Sequence, residues 1–265
     1  MKDYIVVTFS GGKDSTALVL RMIELGEHID EVLCCDTYKE FPAMYRHIDR
    51  VKEVIEKNGI KFTLLRSEKS FDYYLYEHKA KRRNKALTEK SGFSWAGPLS
   101  RWCTTLLKIN VMNNYLAELR SKHNIVQCIG IAKDEQQRLE KQYSQDGGFR
   151  FPLSEWGWTE DDCLKYCYEK GYDWEGLYKL FRRVSCWCCP LQPLSELRVL
   201  RKEFPELWEE LKYMDSKTFR KFKSGWSVEN LEKRFAFEDE RTAAGLSITN
   251  REFHKELKKR LEVDK

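Results

Sequence analysis

The chain has 265 residues, 42% apolar and 13% aromatic, with 47 basic side chains against 42 acidic ones, a formal charge of +5. The aromatic content and the spread of Leu, Ile and Val exclude a chain that is mainly disordered. The longest apolar runs, such as residues 4–9, are far short of the roughly 20 residues that a bilayer demands. This length allows one α/β domain, with or without a small appendix. The start, with neither a basic n-region nor a small-residue cleavage site, reads as a strand, so no membrane association and a cytoplasmic location are expected. Thiols stay reduced there, so the nine Cys are not read as a disulfide framework. Their odd number and clustering point to metal binding or reactive thiols.

In chain order, residues 5–9 form a β-rich run that stops at Ser10-Gly11-Gly12. Apolar residues then recur at helical spacing (Leu18, Met22, Leu25) up to a capping Gly26. Residues 32–35 are a second short buried run, and Pro42 opens a helix that Gly59 closes. Residues 61–65 read as a third strand, 101–122 as a helix and 125–131 as a fourth strand. Beyond Pro152 the pattern turns helical: Thr159 caps a helix ending near Lys170-Gly171, and a Cys-rich turn and charged amphipathic helices follow. Strands alternating with helices predict a parallel sheet covered on both faces, with ligands beyond the carboxyl ends of its strands. The expected division is a nucleotide-binding α/β domain over 1–155 and a helical extension over 156–265 that carries the Cys-rich motif, either separate or packed as one unit with the first.

Ser10-Gly11-Gly12-Lys13-Asp14-Ser15-Thr16 joins a buried strand directly to a helix. Two glycines let backbone N–H groups approach an anion, and the helix N-terminus adds partial positive charge. Ser10, Ser15 and Thr16 offer hydroxyls and Lys13 a cation, while Asp14 would orient Lys13 or help to hold a metal. The spacing is not that of a Walker A loop. The plainer alternative is a glycine-rich turn with incidental polar residues.

SGGKDST resembles the pyrophosphate-binding loop of the PP-loop (N-type ATP pyrophosphatase, adenine nucleotide alpha hydrolase-like) superfamily, in its phosphoadenosine phosphosulfate reductase branch. The likeness extends over residues 4–193. Cys35-Asp36-Thr37-Tyr38-Lys39-Glu40-Phe41-Pro42 is similar to the branch's DTG-x-E-F-P segment, with Tyr38 for the usual Gly. Arg101 to Lys108 resembles R-x-C-x-x-x-K, and Gly130 to Arg138 resembles G-I-R-A-D-E-S-x-R, with Ala132 and Gln136 as departures. The implied fold is a doubly wound, mainly parallel five-stranded sheet with helices on both faces and a helical C-terminal extension. The implied ligand is an adenine nucleotide, ATP or a sulfonucleotide (PAPS or APS), held with Mg2+.

At the matching positions, Asp36 leaves strand two where an acidic side chain can accept bonds from ribose or adenine, or simply cap the next helix. Asp134, Glu135 and Arg138 follow strand four at the same edge, as Mg2+ or cation anchors or as a solvated loop. Arg101 and Lys108, about two helical turns apart, reach one phosphate-rich ligand from a single element or are ordinary surface charges. Lys13, Asp14 and Lys108 are the expected catalytic residues. Ser10 to Thr16, Asp36, Arg101, Gly130, Asp134, Glu135 and Arg138 are the expected nucleotide contacts.

Cys186-Trp187-Cys188-Cys189 places three thiols within four residues, a spacing that suits zinc or an iron–sulfur cluster. The resemblance adds Cys103, so that Cys103, Cys186, Cys188 and Cys189 would make a four-sulfur set for a [4Fe-4S] cluster or Zn2+; small buried hydrophobes are the alternative. Cys34, Cys35, Cys128, Cys163 and Cys167 are expected to pack in the core.

Reductases of this branch carry a Cys in a C-terminal tail, and here no Cys follows Cys189. The expected activity is therefore ATP-dependent substrate activation with pyrophosphate release, coupled to sulfur transfer at the Cys site. Sulfonucleotide reduction and a non-catalytic nucleotide-sensing or scaffold subunit remain alternatives. A cysteine desulfurase or thioredoxin-like protein would supply sulfur or electrons, and an oligomer is allowed. Segment 78–90 holds six Lys/Arg against one Glu, and 217–223 (KTFRKFK) is also basic and interleaves Phe219 and Phe222. Such segments suit a tRNA or DNA acceptor, or are solvated helix faces and a lid.

Overall fold

A computed structural model describes residues 3–82, 84–143 and 148–262. The chain divides into two compact units, one of residues 1–71 and 102–187, the other of 72–101 and 188–265. Residues 156–187 join the first unit because their helix buries Cys163 and Cys167 under the first helix, the Cys167 Sγ lying 3.5 Å from the Lys13 carbonyl. Residues 72–101 leave it for the second.

The first unit is a five-stranded sheet in the order β3-β2-β1-β4-β5, every pairing parallel. It comprises β1 (Asp3–Phe9), α1 (Lys13–Glu24), β2 (Glu31–Cys35), α2 (Pro42–Lys57) and β3 (Lys61–Leu65), then α3 (Asn110–Arg120), β4 (Asn124–Ile129), α4 (Gln136–Tyr143), β5 (Phe149–Arg150) and α5 (Glu160–Glu169). β1 pairs with β2 on one side and β4 on the other, so the topological switch point lies at its carboxyl end. Side chains alternate across each strand. Val6, Leu33, Leu65 and Ile125 pack on Leu116 of α3, while Val7, Val32, Cys34 and Cys128 are buried on the opposite face. Pro42 takes the first position of α2, where its missing N–H costs nothing. Thr159 closes a capping box with Asp162 at the start of α5.

A helical turn at Trp102–Thr104 and a π-helical stretch at Thr105–Ile109 lead into α3. The helix expected from residue 101 thus begins at Trp102, with a wide turn carrying Lys108. β5 has only two residues. Glu31, wholly buried at the amino end of β2, accepts from Tyr4 and Tyr115 and from Thr63, with Lys61 2.9 Å away. That network is structural and lies at the opposite sheet edge from the switch point.

The second unit gathers the 72–101 segment with α6 (Leu194–Glu203), α7 (Pro205–Ser216), α8 (Val228–Ala243) and α9 (Arg251–Glu262). Trp95 donates to Asp215 at 2.7 Å and meets Phe222 edge-on. Phe237 stacks on Phe253, and the buried Arg241 is held by Glu252 and Glu256. Among the described residues, no helix is long and apolar enough to cross a membrane.

Candidate functional site

β1 ends at Phe9 and α1 starts at Lys13, so Ser10, Gly11 and Gly12 form the whole connection. Gly11 has φ +79°, and a Cβ there would lie 2.7 Å from Met44 Sδ and 2.8 Å from Ile48 Cγ1. Only glycine meets both the backbone and the space. The loop is clamped from behind: Trp174 Nε1 donates to the Gly11 carbonyl at 2.7 Å, and the Lys13 N–H donates to the Tyr178 hydroxyl at 2.9 Å. Ser15 Oγ accepts from the Ser10 N–H and donates to the Gly12 carbonyl. Thr16 is fully buried, its hydroxyl 2.9 Å from His47 Nε2; it supports the loop and offers nothing to a ligand. Among the described residues, the Gly11 and Gly12 N–H groups meet no acceptor, leaving two donors at a helix N-terminus for an anion.

Lys13 is the cation of this loop, with only 10% of its side chain accessible. Its Nζ donates to Asp14 at 2.9 Å and to Glu160 at 2.5 Å. Desolvation works against the ammonium, but Asp14 and Glu160 outweigh it and hold the group above the ordinary lysine range. Burial raises Asp14 despite the opposing pull of Lys13, with Glu160 and Glu135 adding to the rise. The bond from Lys13 lowers Glu160. Two hard carboxylates beside the loop match a cation that is usually bound through one or two carboxylates and substrate phosphates, as Mg2+ is.

At the end of β4, a Cβ on Gly130 would lie 3.1 Å from Ser15 N, so that strand abuts the first turn of α1. Asp134 accepts from the Glu160 N–H at 3.1 Å, fixing the start of α5. Glu135 accepts from the Ala132 N–H and pairs with Arg138. These three residues are engaged in holding Glu160 and each other in place.

At the end of β2, the buried Asp36 accepts from the Tyr38 N–H (2.7 Å), the Tyr45 hydroxyl (2.9 Å) and Arg66 (3.0 Å). It does not cap α2, whose N-cap is Phe41. Tyr38 has φ +67°, a backbone state that explains glycine as the usual residue there. Asp36 and a bond from the Tyr38 hydroxyl to the Ser67 carbonyl hold it. Next in the loop, Glu40 accepts from Thr37 at 2.9 Å and from the Cys186 thiol at 3.5 Å, with Lys108 Nζ 3.8 Å away. Cys186 Sγ also lies 3.4 Å from Thr37 Oγ1, and the Trp187 N–H donates to the Lys39 carbonyl. Burial disfavours the Lys108 ammonium, yet Glu40 and the thiols of Cys186, Cys35 and Cys34 hold it above the usual range.

Ser10 to Ser15, Gly130 and Asp134 to Arg138 thus surround the end of β1, while Asp36, Lys108 and Cys186 surround the end of β2. Arg101 does not share an element with Lys108: it precedes the helical turn at Trp102 and belongs to the second unit. Glu160, Glu40, Trp174 and Tyr178 were not anticipated. Glu40 was available from its place in the D-T-x-x-E-F-P segment, but nothing local marks Glu160, which is 147 positions from Lys13.

All nine cysteines are free thiols. Burial pushes Cys34 up to about 12 and Cys35 and Cys128 to about 11, and raises Cys163 and Cys167 further. These thiols are inert packing groups at neutral pH. Cys103 and Cys186 belong to the first unit, Cys188 and Cys189 to the second. In the second, Lys223 Nζ donates to the carbonyls of Pro190 and Gln192, bracing the turn after Cys189. Among the described residues, no three His, Cys, Asp or Glu side chains gather as a metal-holding set. Within the first unit, the Cys186 thiol donates to Glu40.

The sequence profile of the phosphoadenosine phosphosulfate reductase domain matches residues 4–192. Two curated proteins of Methanocaldococcus jannaschii, uncharacterized protein MJ0066 and uncharacterized protein MJ0973, are each 27% identical over 225 and 216 residues. Those alignments take in 79% and 78% of this chain but only 41% and 46% of the relatives, so the chain spans less than half their length. Among solved structures, the U34-tRNA thiolase NcsA from Methanococcus maripaludis with its [4Fe-4S] cluster aligns with a TM-score of 0.42 at 16% identity. That alignment covers 88% of this chain and 72% of the thiolase.

Proposed function

Because the chain belongs to the phosphoadenosine phosphosulfate reductase domain family, we propose that Ser10 to Ser15 hold the phosphates of an adenine nucleotide, and that the protein activates an acceptor with ATP for sulfur transfer. The observation that carries this reading is Lys13, a shielded ammonium placed beside two backbone donors without acceptors. An acceptor oxygen attacks the α-phosphorus of ATP, the bond from that phosphorus to the bridging oxygen breaks, and pyrophosphate departs. Gly11 N–H, Gly12 N–H and Lys13 stabilise the charge that grows on the leaving group. Asp14 and Glu160 would hold Mg2+, which would supply charge neutralisation to the phosphates; the chain's own part is to hold both carboxylates against Lys13.

The outer sulfur of a Cys186 persulfide, loaded by a sulfur-donor protein, then displaces AMP from the activated atom, and an external dithiol reduces the resulting disulfide, releasing the thiolated product and the Cys186 thiol. Cys186 is the proposed sulfur-handling thiol, since it donates a hydrogen bond to Glu40 and Lys108 lies beside Glu40. The family's own name supports the second reading, attack of a thiolate on the sulfur of a sulfonucleotide. Exchange of labelled pyrophosphate into ATP separates the two. Exchange that depends on Lys13 supports activation, whereas thiol-dependent release of sulfite from phosphoadenosine phosphosulfate without exchange overturns it.

A further inference from the structure

Many of the cations on the helices of the second unit are paired: Arg198 and Arg234 with Glu238, Arg201 with Glu232 and Asp239, Lys202 with Glu203, Lys212 with Glu209, Arg260 with Glu240. On α9, Arg251, Lys255 and Lys259 have no carboxylate within ion-pair distance among the described residues. Two loops concentrate further cations of that kind. Lys79, Lys81, Lys85 and Lys90 are exposed and, among the described residues, have no carboxylate within ion-pair distance. The same holds for Lys217, Arg220 and Lys221, and Glu89 is the one acidic residue in either segment. Arg83, which adds to the first segment's charge, lies outside the described residues.

The fold brings these segments together, although over 120 residues separate them. The Arg220 N–H donates to Ser94 Oγ at 3.0 Å, and Arg82 lies 5.0 Å from the Phe219 ring, with Arg220 at 5.6 Å. Aromatic planes accompany the charge: His78 stacks on Phe93 at 4.6 Å and 26°, and Tyr74 lies nearly parallel to Phe93. Half-exposed rings interleaved with unpaired cations match a ligand that offers both regular negative charge and flat apolar faces. A phosphate backbone with unpaired bases has that chemistry.

We propose that this face of the second unit binds single-stranded nucleic acid, with phosphates on the two lysine-rich loops and bases against the aromatic planes. Lipid headgroups and acidic peptides share the charge but not the stack of flat faces. The proposal goes beyond the nucleotide chemistry and stands on other residues, so oligonucleotide binding and ATP binding fail separately.

The test is fluorescence anisotropy of the full chain with labelled 20-nucleotide oligo(U) RNA and oligo(dT) DNA across a salt series. Each neutralised phosphate of a single strand contributes about −0.7 to the slope of log K against log salt. The K79Q/K81Q/K85Q and K217Q/R220Q/K221Q variants are each expected to bind at least about tenfold more weakly, with the slope shallower by about 2. Phe219→Leu is expected to weaken binding at an unchanged slope, because stacking releases no counterions. The control K202Q/K212Q, on paired helical cations, should match the wild type, and circular dichroism confirms that each variant folds. Tighter binding of the RNA or of the DNA identifies the strand, and either supports the proposal. Absence of binding at 50 mM salt, equal losses in the control, or phosphatidylserine vesicles competing as well as the oligonucleotide overturns it.

Discussion

Lys13 and Glu160, 147 positions apart, meet at 2.5 Å, so the first turn of α1 and the first turn of α5 share one proton-rich contact. The pair exists because Asp134 binds the Glu160 N–H and because α5 packs its cysteines under α1. Lys13 is thereby held by carboxylates that a phosphate, bound as proposed, would displace or share through a cation. Glu160→Gln removes one competitor. Since Glu160 is 43% accessible, solvent screens much of the contact, and the gain is about 0.5–1 kcal/mol. Calorimetric titration with ATP in excess EDTA should therefore show binding about two- to fivefold tighter than wild type. Unchanged or weaker binding would mean that Glu160 does not compete for Lys13.

Gly11→Ala combines a left-handed backbone with a Cβ 2.7 Å from Met44 Sδ. Backbone strain and overpacking together should cost about 2–4 kcal/mol. Urea unfolding should show the loss as a lower midpoint with the slope retained. A shift below about 1 kcal/mol would show that α2 gives way easily behind the loop.

His47 supports the loop through Thr16 and lies against the Trp174 ring at 4.4 Å. Desolvation, with Arg50 adding to it and Asp173 opposing, lowers its pKa from 6.5 to about 3. The unfolded chain thus binds a proton between those values that the folded one refuses. Stability should rise with pH from about 3 to 6.5, by up to about 1.4 kcal/mol per unit, and then level off for this group. His47→Gln, which cannot titrate, should flatten that part of the acid limb. An acid limb identical to wild type would remove His47 from the account.

Cys186→Ser should leave pyrophosphate–ATP exchange within about twofold of wild type, because the thiol sits at the end of β2 while the proposed phosphate loop is at the end of β1. Sulfur transfer should fall by at least about 100-fold, the scale on which loss of a covalent nucleophile is felt. Equal loss of both activities would place Cys186 in the nucleotide half of the site. In the same preparation, Cys34, Cys128, Cys163 and Cys167 should resist alkylation until the chain unfolds, since all are buried.

The start of the fold is written in local signals. β1 is an unbroken apolar run, Pro42 marks the first turn of α2, and Thr159 has Asp162 three residues on to complete its cap. The loop at 10–16 follows because its glycines stand between a strand and a helix. β5 escaped because two residues carry no periodicity. Residues 72–101 are held by long-range contacts such as Trp95 with Asp215, which leave no local pattern. Thr16 reads as a ligand donor and is in fact turned inward, since its hydroxyl finds His47 31 positions away. Glu160 was invisible for the same reason: its role is set by which helix packs on which.

The most direct test of the nucleotide loop is calorimetric titration of ATP with Mg2+ into the wild type and Lys13→Ala, with pyrophosphate as competitor. The account predicts one ATP per chain, displaced by pyrophosphate, and affinity at least about tenfold weaker in Lys13→Ala, the loss of a charge-assisted phosphate contact. ATP that fails to bind, or that binds equally well without the Lys13 ammonium, would contradict it.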